Sequence, residues 1–197
     1  LLAIPEGDHF LKRDMEILRE FCDVKTASGF NYKNPFTIFS CFFGILKGTL
    51  WADITFSQFA DLHAFFAMVC ARILGKKSIV IVGGYEVARV PEINYGYMLK
   101  PGVSYMVKLI LNHTDRVLTV VDTLKEDAVK NAGVKGTNIR TIPECYDADT
   151  WKSSFPKENY VVTVANKMTQ KVIKRKGLDT FIEVARLLPV SYTHLRA

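Results

Sequence analysis

What the chain lacks narrows its chemistry first. No set of His, Cys, Asp or Glu residues has the spacing of metal ligands, so no metal site is expected. Its four cysteines, Cys22, Cys41, Cys70 and Cys145, are scattered and form no Cys-x-x-Cys pair. That usage argues for reduced, mostly buried thiols in a cytoplasmic protein rather than a disulfide framework. No Gly-x-Gly-x-x-Gly follows the first predicted strand, which disfavours a dinucleotide-dependent oxidoreductase. Neither a Gly-x-Ser-x-Gly elbow nor a Walker-type phosphate loop occurs, and no resident cofactor is expected. Neither a signal peptide nor an apolar run long enough to span a bilayer is read in the chain.

What is present is an ordinary globular composition: 197 residues, 49% hydrophobic and 23% charged. That length allows one large domain, or one domain and the start of another. The net charge of +6 suits phosphate-bearing ligands, an anionic membrane surface or nucleic acid alike. Both ends read as incomplete. Leu1 is not an initiator methionine, and Leu1 to Ile4 look like the tail of a strand. Residues 190–197, VSYTHLRA, break the preceding pattern and resemble translated read-through of a sequencing-library adaptor. They are set aside from the fold, and His194 and Arg196 with them.

Along the chain, strands and helices alternate. After Leu1–Ile4, Asp8 caps a predicted helix with Phe10, Met15, Ile17, Leu18 and Phe21 on one face. A short strand is expected near Asp23–Thr26 and a loop over Ser28–Asn34. Pro35 opens the apolar stretch PFTIFSCFFGILKGTLW, whose expected fate is a buried or partly buried helix. Its alternative is an interfacial helix on lipid, since Phe36, Phe39, Phe42 and Phe43 are flanked by Lys33 and Lys47. Strands follow at Ala52–Phe56, Ser78–Val82, Arg116–Val121 and Asn138–Ile142. Helices run from the Asp61 cap to Gly75, after Pro101-Gly102, and from a Thr123–Glu126 capping box to Gly133. This order predicts an α/β fold with a doubly wound parallel sheet.

Two stretches carry candidate chemistry. In KKSIVIVGGYE (76–86), a β-branched run reads as a strand buried on both faces and breaks on Gly83-Gly84. Ligands of open parallel sheets sit beyond the carboxyl ends of strands, so this turn is a candidate binding lip as well as a simple tight turn. His63 lies beyond another strand's carboxyl end, in the first turn of a helix whose positive end favours neutral imidazole. It is a candidate proton or hydrogen-bond acceptor for a substrate hydroxyl, or else a capping histidine. Further on, Asp147–Glu158 has linker composition. A strand at Tyr160–Ala165 and a helix at Leu178–Leu188 then flank a basic loop, Asn166–Lys176, with Lys167, Lys171, Lys174, Arg175 and Lys176. Cations delivered to a helix N-terminus suit a diphosphate. The loop has no interleaved aromatics, and nucleic acid is not expected as a partner.

The order of these features resembles the family 4 (group 1) retaining glycosyltransferases of the GT-B fold. NIRTIPECYDADTW is similar to their interdomain passage. VVTVANKMTQKVIKRKGLDTFIEVARLLP resembles the first strand, loop and helix of their donor-binding domain, and Arg175-Lys176-Gly177-Leu178-Asp179 is the best single match. FADLHAFFAMVCARILGKKSIVIVGGYE resembles a helix and strand of their acceptor domain. The resemblance covers almost all of residues 1–189 and implies an acceptor-side Rossmann-like domain at 1–150. Residues 151–189 would then be a linker and the first strand and helix of a truncated donor domain.

It further implies transfer of a sugar from a nucleotide-sugar donor to a sugar, lipid or small-molecule acceptor, without a metal. Lys176 matches the lysine on the donor diphosphate. Asn166-Lys167 stand where an arginine is usual, with Lys167 or Arg175 as substitutes. Gly7, Gly83 and Gly84 fall on the acceptor side of the cleft, with His63 and Glu86 as candidate catalytic residues. A paired-glutamate element of the family would lie beyond Pro189, so the fragment by itself is expected to be inactive. The expected location is the cytoplasm, with the inner membrane face as a place of peripheral contact. Competing readings are a non-catalytic doubly wound binding module and a sugar-nucleotide epimerase of related fold.

Overall fold

The computed structural model describes residues 2–3, 9–27, 35–145, 149, 156, 160–165, 169–187 and 191–192. The chain divides into two units, Leu1–Glu144 and Cys145–Ala197. The first holds β1 (Leu2–Ala3), α1 (His9–Phe21), β2 (Thr26–Ala27), α2 (Pro35–Trp51), β3 (Ile54–Gln58), α3 (Leu62–Ile73), β4 (Lys77–Val82), α4 (Pro101–His113), β5 (Arg116–Thr119), α5 (Asp122–Ala132) and β6 (Ile139–Thr141). Its six strands form one parallel sheet in the order β2-β1-β3-β4-β5-β6. Parallel neighbours cannot be joined by a tight turn, so helical crossovers link the strands and every carboxyl end falls on one edge.

The main core lies between α3, α4 and α5 and one face of β4, β5 and β6. Met68, Val80, Val82, Val107, Ile110, Leu111, Val117 and Ala128 are buried there together. Each of these side chains larger than alanine is worth about 1.5–3 kcal/mol on burial. The period-two pattern of β4 places Ser78, Val80 and Val82 on this face. Ile79 and Ile81, on the other face, are only half-buried, so the strand is not buried on both faces as its composition suggests. A β-branched run reports strand propensity, and only the helices packed above decide what each face meets. Across the amino edge, Asp115 ties β4 to β5. Its carboxylate accepts from Lys77 Nζ at 2.8 Å, Ser78 N at 3.0 Å and Ser78 Oγ at 3.2 Å.

One helix meets its sequence reading and another departs from it. The inner face of α2, Cys41 and Ile45, packs with Ala67 and Cys70 of α3. Its opposite face is exposed, so the helix is partly buried, within the range its composition suggests. Apolar residues run round the whole circumference, and its neighbours α3 and β2 cover only one side. For α5, Val121 holds the capping position without a side-chain bond, and Thr123 lies inside the helix. Asp122 instead stands in the first turn, where its Oδ1 accepts from Thr141 Oγ1 at 2.6 Å, joining helix to β6. The helix thus begins one residue before Thr123, which leaves the expected capping box inside its first turn.

The second unit holds β7 (Tyr160–Val161), α6 (Gln170–Lys176), α7 (Leu178–Leu187) and β8 (Ser191–Tyr192), with β7 and β8 parallel. Residues 170–176, expected as loop, are a short helix capped by Thr169, whose Oγ1 accepts from Val172 N at 3.3 Å. Gly177 stops it in the left-handed region at φ 63°.

Candidate functional site

At the carboxyl edge, the chain leaving β3 and the chain leaving β4 are clasped by one side chain. Glu86 Oε1 accepts from Ala60 N at 3.2 Å and from Gly83 N at 3.1 Å. The residue is 3% exposed. Burial pushes its carboxyl pKa up, against the pull of the backbone N–H groups that favour the anion. Glu86 therefore braces two loops. Gly83 is required beside it, because a Cβ there would meet Phe59 Cε1 at 2.5 Å. Gly84 follows at φ 116°, outside the range of side-chain-bearing residues. Phe59 itself sits at φ 66°, which a bulky residue adopts only under outside constraint. Its N–H donates to Ile81 O at 2.8 Å.

Asp61 caps α3, its Oδ1 accepting from Leu62 N at 2.9 Å. Its other oxygen accepts from Tyr97 Oη at 3.1 Å. Burial first, and the Asp61 charge second, push the Tyr97 phenol up to about 12. Tyr97 belongs to a cluster with Tyr85 and Tyr95. The Tyr85 ring stands edge-on to each of the others at 4.8 Å between centroids. The Tyr97 N–H donates to Tyr85 O at 2.9 Å, so the long connection from β4 to α4 is internally bonded. Rigid loops at a sheet's carboxyl edge suit a positioning role.

His63 is 1% exposed and lies in the first turn of α3. Its Nε2 is 2.7 Å from Gln58 O. A carbonyl oxygen only accepts, so Nε2 carries the hydrogen. Burial lowers the imidazole pKa, the chief reason the ring is neutral. The sequence reading reached the neutral ring through the helix end, whereas the structure obtains it by desolvation. Gln58, the last residue of β3, keeps a buried Oε1 with no hydrogen-bond partner among the described residues.

The structure thus brings His63, Glu86, Gly83 and Gly84 to one edge. Sequence reading missed Asp61 with Tyr97, Gln58 and Phe59. The Asp61–Tyr97 pair spans 36 positions, and no local pattern marks it. Gly7, Asn166 and Lys167 lie outside the described residues. In the second unit, Arg175 and Lys176 occupy the exposed last turn of α6, where cations complement the helix's negative end. Leu178 starts α7 two positions on, and Asp179 Oδ1 accepts from Thr180 N at 2.9 Å, occupying one N–H of that first turn. Among the described residues, no group of three His, Cys, Asp or Glu side chains is placed to hold a metal. Nor is any helix there long and apolar enough to cross a membrane.

One solved structure that matches this architecture is HepE of Anabaena, crystallised in complex with UDP and glucose. The match has a TM-score of 0.55 at 11% identity and covers 78% of this chain. The fold is a Rossmann-like domain of the GT-B kind. At this identity the likeness is one of fold alone. The chain spans 39% of the length of HepE. No protein-family model matches the chain, and no curated protein matches it in sequence. Open parallel sheets receive ligands beyond the carboxyl ends of their strands, the edge on which the braced β3 and β4 loops lie; here the strand order reverses between β1 and β3.

Proposed function

We propose that the chain belongs to a glycosyltransferase that moves a sugar from a nucleotide-sugar donor to an acceptor with retention at the anomeric carbon. The observation that carries this reading is the architectural likeness to a protein solved with UDP and glucose. The sequence adds the Arg175-Lys176-Gly177-Leu178-Asp179 element. In this reading Lys176, with Arg175 beside it and Asn166 and Lys167 before it, neutralises the donor diphosphate as the leaving group gains charge. Gly83, Gly84 and Gly7 line the acceptor side. His63 and Glu86 hold the acceptor loops in place, and the chemistry rests on positioning and on stabilising the leaving group.

The test is binding of UDP and UDP-glucose, by calorimetry, to the full-length gene product and to Lys176→Ala. Loss of the charge-assisted contact predicts roughly a tenfold or greater fall in affinity. Unchanged affinity removes the diphosphate role of Lys176. Failure of the folded wild type to bind any nucleoside diphosphate sinks the transferase reading. NMR of the anomeric proton in a transferred product decides retention.

The second reading, a non-catalytic binding module, has one observation in its favour. The two titratable candidates of the first unit, His63 and Glu86, are both buried and bonded to backbone. Normal folding with nucleotide-sugar binding but no turnover of any donor supports it.

A further inference from the structure

The outer face of α2 is an apolar exposed surface that the proposed reaction does not use. Phe36 is 81% exposed, Phe39 65% and Phe43 61%, and Leu50 and Trp51 are exposed beyond them. With Ser40, Gly44 and Lys47 these residues recur at helical spacing along one stripe. The inner face, with Cys41, Ile45 and Thr49, is buried, so the helix's orientation is set by its packing on α3. A solvent-facing stripe of a surface helix is ordinarily charged. This one carries a single charge, Lys47, and α2 has no acidic residue. At its end Lys25 Nζ lies 4.1 Å from the centre of the Trp51 ring.

We propose that this face docks on an anionic lipid surface, with α2 lying in the plane of the interface. Seventeen residues give a helix about 25 Å long, shorter than the roughly 30 Å hydrocarbon core, so α2 lies on the bilayer and does not cross it. Phenylalanine and leucine enter the acyl boundary, tryptophan sits at headgroup level, and Lys25 and Lys47 reach anionic phosphates. Charge separates this occupant from a second copy of the chain. A two-fold contact through the stripe would bring both copies' Lys47 into an apolar interface with no α2 carboxylate to pair them. The chain's net charge of +6 adds attraction to the same surface.

Flotation of the 197-residue chain with phosphatidylcholine vesicles holding roughly one quarter phosphatidylglycerol tests this. The chain is expected to co-float, and to do so much less with pure phosphatidylcholine. Replacing Phe39→Ser and Phe43→Ser together should cut partitioning by about tenfold or more. Lys47→Glu should cut it several-fold on anionic vesicles only. Both variants should melt close to the wild type, because the altered side chains are exposed and Phe43 gives up only an edge contact with Phe42. Failure of the wild type to float overturns the proposal, as does equal flotation of the double variant. Self-association abolished by the double variant, without vesicle binding, assigns the face to a second copy and overturns it too. None of these outcomes depends on donor binding.

Discussion

Strand β4 is bracketed by two carboxylates that do opposite things. At its amino end Asp115 faces Lys77 and the Ser78 N–H and hydroxyl. Burial works to raise its pKa, but these partners outweigh it and hold the carboxyl below its ordinary value. At the carboxyl end Glu86 has backbone N–H donors but no cation within bonding distance among the described residues. There desolvation wins and the pKa rises. Each carboxylate joins neighbouring segments of chain. One is an exposed-edge staple, stabilised as an anion. The other holds two loops at the carboxyl edge of the sheet at an electrostatic cost.

Removing the brace is the sharpest way to break this comparison. Glu86→Ala leaves the buried Ala60 N–H and the solvent-accessible Gly83 N–H without their acceptor and is expected to cost about 2 kcal/mol in urea denaturation. Glu86→Gln keeps a carbonyl acceptor and should cost about 1 kcal/mol. A loss under about 1 kcal/mol for the alanine variant would mean the clasp is dispensable. Asp115→Asn comes next, at about 1 kcal/mol after allowance for the partly solvated lysine.

The pH dependence should separate the two carboxylates. The Asp115 pKa is depressed in the folded state, so its stabilisation is present above the ordinary 3.8 and lost as pH falls through the lowered value. The Glu86 pKa is raised, so its contribution is full below 4.5 and declines as pH rises through the folded value. Asp115→Asn should therefore converge on the wild type in acid. Glu86→Gln should gain on it as pH rises. Matching pH slopes for the two variants would erase the distinction. The smallest effect is expected for Tyr97→Phe, which removes only the hydroxyl bond to Asp61 and should cost about 0.5–1 kcal/mol. No change in its melting would place that bond outside the stability of the edge.

Much of the framework was legible because it rests on local rules. Asp61 as a cap and Gly75 and Gly133 as left-handed stops all stand where their backbone preferences place them, while the helix expected after Pro101-Gly102 begins at Pro101 itself. The turn at Gly83-Gly84 was legible for the same reason. Glu86 was singled out, but its role as a clasp was not, since Ala60 lies 26 positions away. The Thr123 capping box failed because the helix begins at Asp122, whose carboxylate is bonded to Thr141 across the fold. The basic segment 170–176 was read as a loop from its charges. Thr169 supplies a cap, and lysine and arginine are sound helix formers.

By itself the sequence determined the alternation of strands and helices, and with it a parallel sheet whose ends gather on one edge. Period, capping residues and glycine stops act over a few positions, so the chain carries that information locally. Only the tertiary structure decided which face of α2 is covered, which carboxylate is stapled and which is strained, and why His63 is neutral. Those outcomes depend on desolvation and on partners far apart in the chain, and both exist only once the helices pack on the sheet.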